Sequence, residues 1–103
     1  MRKPFLRHLA VVLVLFLAAC TGNDPGPLKG TWQMGGLVPM TVTFRDGETE
    51  AMGIIEQVSY ETAGNDVLVT YKDGLAKGTT MRYTITGPDT ARTELGTLRR
   101  VNR

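Results

Sequence analysis

Residues 21–103 contain neither cysteine nor histidine. The only Cys is Cys20 and the only His is His8. A domain with no thiolate and no imidazole cannot run Cys–His or Ser–His–Asp nucleophilic catalysis. It also lacks the usual ligands of zinc and copper sites, and no disulfide can staple it. Carboxylates, hydroxyls and an oxygen-ligand cation site are the only chemistry left. The composition therefore points to a non-enzymatic protein with no cofactor and no metal. Charge excess is missing too: 12 Lys+Arg stand against 10 Asp+Glu, a formal +2. That is too weak a field to draw in nucleic acid. After Cys20 no stretch carries a convincing helical stripe. The nearest candidate, residues 51–56, is weakened by Gly53.

The first twenty residues are distinctive. Arg2, Lys3 and Arg7 give a positive start, and Leu9 to Ala19 then carries no charge and no polar side chain. Crossing the hydrocarbon core as a helix takes roughly 20 residues. This run is shorter and has the length of a secretory signal's apolar region. Leu17-Ala18-Ala19-Cys20 closes it. The stretch resembles a bacterial lipoprotein signal peptide, and all four positions of the box match. The resemblance implies diacylglycerol on the Cys20 thiol, cleavage between Ala19 and Cys20, and acylation, as with palmitate, of the new amino group. The competing reading is an uncleaved signal anchor ending in a chance Cys. Two or more acyl chains hold a protein stably, whereas one holds it marginally. Thr21 follows the Cys. In enteric-type sorting, an Asp there would favour the inner membrane. Its absence favours the outer membrane, facing the periplasm.

Removal of residues 1–19 takes three basic residues and no acid. Nine bases then face ten acids, so the mature chain carries −1. Residues 20–27 follow as a lipidated Cys and a flexible tether. Two Gly and two Pro, with Asn23 and Asp24, mark residues 21–27 as unpacked chain. Its reach would be at most about 28 Å, at roughly 3.5 Å per residue. Residues 28–103 are then one small domain, near the lower limit for folding without staples.

In that domain the period is two. Met40, Val42 and Phe44 alternate with Thr41, Thr43 and Arg45. Val58 and Tyr60 share a face, as do Val67, Val69 and Tyr71, and Met81, Tyr83 and Ile85. One face is apolar and one polar, the signature of antiparallel sheet with a wet side. Turn residues fall between the runs: Asp46-Gly47, Gly64-Asn65-Asp66, Asp73-Gly74 and Gly87-Pro88-Asp89. The pattern predicts strands at 29–34, 39–45, 49–54, 56–63, 66–72, 78–86, 89–95 and 97–102. A weak repeat, residues 60–66 echoed at 83–89, suits successive hairpins.

An all-β, antiparallel up-and-down meander of this size buries its apolar face most simply by closing into a small barrel, which also removes exposed edges. Met34, Met40, Val42, Phe44, Val58, Tyr60, Val67, Val69, Tyr71, Met81, Tyr83 and Ile85 would fill it. Gly30-Thr31-Trp32 opens the first strand, Thr43 to Gly47 closes the second, and Gly96 to Arg100 lies near the end. That order is similar to the small bacterial lipocalin-like domains. The resemblance implies that Trp32 sits at the barrel base with Arg99 or Arg100 stacked on it.

Other side chains read as structure rather than chemistry. Glu48 and Glu50 share a strand face near a turn, as on any solvated hairpin. Asp66, Asp73 and Asp89 fit turns. Tyr60, Tyr71 and Tyr83 alternate with apolar neighbours and read as core. Arg99, Arg100 and Arg103 read as a solvated basic end. The sequence expectation is a lipid-anchored, non-catalytic binding or accessory module, with the membrane and an envelope protein or cell-wall material as partners. The alternatives are an inhibitor or immunity protein against a cell-wall hydrolase, using the loop Asp73 to Gly78, and a carrier of a small apolar ligand.

Overall fold

The structure, a computed structural model, describes residues 21–36 and 39–101. The expected signal peptide with its expected cleavage between Ala19 and Cys20, Cys20 itself and Arg103 lie outside the described residues. Among the described residues no helix is long and apolar enough to cross a membrane.

The strands are β1 (Thr21–Gly22), β2 (Gly30–Met34), β3 (Met40–Arg45), β4 (Glu48–Ala51), β5 (Ile54–Ala63), β6 (Asp66–Tyr71), β7 (Thr80–Gly87), β8 (Thr90–Thr93) and β9 (Gly96–Arg100). Each of β2 to β9 pairs antiparallel with its sequence neighbour, and β9 pairs back onto β2 through Trp32↔Arg100, Gln33↔Arg99 and Met34↔Leu98. The eight strands close an up-and-down barrel. Closure follows from the residues. Val, Thr, Ile and Tyr dominate the long strands, where branched and aromatic side chains fit a pleated surface. Strict alternation then turns one face of every strand inward.

Strand β5 is shared. Its first residues pair with β4 (Ala51↔Ile54 to Glu48↔Gln57), and its second half pairs with β6 (Val58↔Tyr71 to Ala63↔Asp66). The edge left beyond β4 is taken by β1, with Thr21↔Glu61 and Gly22↔Tyr60. Residues 51–56 form no helix. Met52 and Gly53, at φ 55 and 80, make a tight turn between β4 and β5. The observed strands otherwise differ from expectation by a residue or two. The largest shift is at this turn, where β4 ends at Ala51 rather than 54.

The core is Leu28, Trp32, Met34, Val42, Phe44, Val58, Tyr60, Val67, Val69, Tyr83, Ala91 and Leu98. Met40, Tyr71, Met81 and Ile85 pack against it but are only partly buried. At roughly 25 cal/mol per Å² of apolar surface, each large side chain contributes about 1.5–3 kcal/mol. Phe44 and Tyr83 meet edge to face, with ring centroids 5.2 Å apart.

Residues 21–27 are the stretch expected as a flexible tether. Residues 21–28 are seated on the barrel. After β1, the Asn23 carbonyl accepts the Gly47 N–H at 2.9 Å. The Asp24 side chain accepts the Gly26 N–H at 2.8 Å. Pro25 is buried, a short 3₁₀ turn covers Gly26–Leu28, and Leu28 is fully buried. Pro and Gly here shape a plug across one end of the barrel. The turns at 46–47, 64–65 and 88–89 lie at this plugged end. Gly35 and Gly36 after β2 and the connections 52–53, 72–79 and 94–95 lie at the other, open end.

Candidate functional site

The plugged end is organised by Trp32 and Arg100. Strand β9 turns Leu98 and Arg100 toward the interior side and Thr97 and Arg99 outward. The register places Arg100 opposite Trp32. Its guanidinium carbon lies 4.3 Å from the Trp32 ring centroid, a cation–π contact. Its Nη1 donates to the Lys29 carbonyl at 2.7 Å and Nη2 to the Pro27 carbonyl at 3.1 Å. Nε lies 3.3 Å from the Asp89 carboxylate. The Trp32 indole N–H donates to the Leu28 carbonyl at 2.8 Å. A planar fork of donors can bind two carbonyls and stack on an indole at once, which a point-charge ammonium cannot do. Arg100 is therefore a clamp across the plug rather than part of a solvated tail. Arg99 faces outward, on a cleft of about 400 Å³ that it lines with Gln33, Met34 and Pro39.

The acidic residues expected on the β3–β4 hairpin do share the outer face. Arg45 pairs with both, at 3.2 Å to Glu48 and 2.8 Å to Glu50. The Glu50 hydrogen bond raises the Arg45 pKa above its usual value, with Glu48 adding to it. One guanidinium thus holds both carboxylates. Among the described residues no group of three or more His, Cys, Asp or Glu could hold a metal ion.

The tyrosines are interior. Tyr60 donates to the Glu48 carbonyl at 2.8 Å. Burial pushes the Tyr60 and Tyr83 hydroxyls well above the usual tyrosine range, and neighbouring Tyr71 adds to both. Burial also raises Tyr71. These hydroxyls stay protonated, and that of Tyr60 is a structural donor.

The open end is different. Met52 is 73% exposed, Ile54 62% and Ile55 52%, all at the tip of the β4–β5 hairpin. Leu75, in the loop joining β6 to β7, is wholly exposed, and Leu95 is 44% exposed at the β8–β9 turn. Met52 holds φ 55, a left-handed conformation that disfavours a long apolar side chain and suits Gly or Asn. A second opening lies beside this end. Strand β7 outruns β8: Thr84↔Arg92 is the last pair, while Thr80 to Tyr83 pair only with β6. The gap is a cleft of about 540 Å³ lined by Leu68, Met81, Arg82, Arg92 and Glu94.

Sequence reasoning named Trp32, Arg99 and Arg100. It missed the open-end apolar tip, although the adjacent Ile54 and Ile55 break the two-residue alternation there. No family model matches the chain, and no curated protein or solved structure matches it. The functional reading therefore rests on the chain's own residues.

Proposed function

We propose that the protein is a lipid-anchored envelope lipoprotein without catalytic activity, probed by partners through the open end of its barrel. Acylated Cys20 holds it to the membrane, with Thr21 favouring the outer membrane and the periplasmic side. Its partner is an envelope protein with an apolar recess that takes the β4–β5 tip. One observation carries this reading: Met52 in the β4–β5 turn and Ile54 and Ile55 at the start of β5 are all more than half exposed, with Met52 held at an unfavourable φ. A solvated hairpin would gain stability from Asn-Gly at that turn. An apolar tip kept at that cost points to contact with something apolar.

The test is a photoreactive residue placed at Ile54, in the full chain and in its own cell, with Thr97 on the outer wall as control. The reading expects one discrete protein adduct from position 54, lost in Met52→Ser/Ile55→Ser, and none from position 97. Equal labelling from both positions refutes it.

Leu75 favours a second reading, an inhibitor of a cell-wall hydrolase acting through the loop at 73–78. Unchanged muramidase activity with the purified domain in excess would sink that version. An apolar-ligand carrier finds little support. Trp32, Phe44, Tyr60 and Tyr83 occupy the interior at 3% exposure or less.

A further inference from the structure

We infer that the plugged end of the barrel rests on the bilayer, with the Met52 tip turned away from it. The inference builds on the reading of Cys20 as acylated. It follows from how little chain separates that residue from the barrel. Cys20 is bonded directly to Thr21, so their Cα atoms lie about 3.8 Å apart. Thr21 is already in the ladder, opposite Glu61. The pairing is antiparallel. Moving back from Thr21 toward the N-terminus therefore follows β5 toward Ala63 and the turn at Gly64-Asn65. From Glu61 that turn is about 10 Å away at 3.3 Å per residue, while Ile54 at the open end is about 23 Å away.

The segment that follows has no slack. Asn23 is held by Gly47, Pro25 and Leu28 are buried, and the Pro27 carbonyl is held by Arg100. A glycerol thioether on Cys20 sits at headgroup level, so the turns at 46–47, 64–65 and 88–89 face the headgroups. Charge does not drive this contact. Among the described residues, Asp24, Asp46 and Asp89 outnumber Lys29 and Arg100 at that end, and anionic lipid would not attract it. The orientation is imposed by covalent geometry and does not respond to salt. Its consequence is that Met52, Ile54 and Ile55 are presented to the periplasm rather than to the membrane that holds the lipid.

The test uses the mature, lipidated chain in phosphatidylethanolamine/phosphatidylglycerol vesicles carrying a headgroup energy acceptor. Lipidation consumes the Cys20 thiol, so an introduced Cys is the only free thiol. Asn65→Cys and Met52→Cys are labelled with the same donor dye. The expected result is quenching at least twofold greater at position 65 than at 52, unchanged at high salt. A Gly-Ser insertion between Cys20 and Thr21 should erase the difference. Equal quenching in the uninserted chain, or stronger quenching at 52, overturns the orientation while leaving the anchor intact. An unmodified Cys20 in the mass spectrum of the same sample overturns the anchor and the orientation together.

Discussion

Replacing Arg100 with Ala should cost far more than an arginine at a chain end normally would. The side chain is 27% exposed, stacks on Trp32 at 4.3 Å, and bridges the carbonyls of Pro27 and Lys29. A hydrogen bond from a charged donor contributes about 1.5–3 kcal/mol. The stacking adds about 0.5–2 kcal/mol. The ion pair to Asp89, itself 66% exposed, adds little. These contributions overlap, because one side chain makes them all. A net loss of about 3 kcal/mol is expected for Arg100→Ala. At about 4–8 °C per kcal/mol for a small domain, Tm should fall by roughly 12–24 °C. Arg100→Lys keeps the charge but cannot bridge both carbonyls, and should lose about half as much. Arg99→Ala, on the outer face, should stay within about 0.5 kcal/mol. The assay is urea and thermal unfolding of a soluble chain starting at Thr21, followed by the fluorescence of Trp32, the sole tryptophan. Equal effects at positions 99 and 100, or a loss below 0.5 kcal/mol at 100, would refute the clamp.

Gly96→Ala should prevent stable folding, because a Cβ there, at φ 152, would run into the Gly35 carbonyl oxygen; circular dichroism of the purified variant checks it. Met52→Asn should raise the unfolding free energy measured in urea by about 0.5–1 kcal/mol, since φ 55 suits Asn, while abolishing the adduct at the tip. Stability should be flat up to about pH 9 and fall above pH 10, the ordinary tyrosine pKa. Burial raises Tyr60, Tyr71 and Tyr83 above that value in the folded chain. The unfolded chain therefore releases protons first, and stability is lost as pH rises. Tyr83→Phe should shallow the decline in Tm between pH 8 and 11; an unchanged slope would show that its hydroxyl is not responsible.

The barrel was legible because its long strands carry uninterrupted alternation. Met40 to Arg45 and Val67 to Tyr71 each declare a wet and a dry face. The short strands were less clear. Ala91 and Leu98 are core residues on strands of four and five residues, too brief for a period to stand out. Pro25 and Leu28 were hidden for another reason. A segment rich in Pro and Gly reads as loop whether it floats or plugs a barrel end, and only the tertiary partners decide. Arg99 and Arg100 could not be separated until the register placed Arg100 across from Trp32. The β4–β5 tip was obscured by expecting the strand to run on to 54, where Met52 and Gly53 in fact turn the chain.

The account depends most directly on what is attached to Cys20. Intact-mass measurement of the protein extracted from membranes of its own cell, beside Cys20→Ser, addresses that in one experiment. The account predicts a mature chain beginning at Cys20 and carrying diacylglycerol and further acyl mass, with the Ser variant unprocessed and unmodified. A membrane-bound chain that still carries residues 1–19, with a free thiol at Cys20, would contradict it.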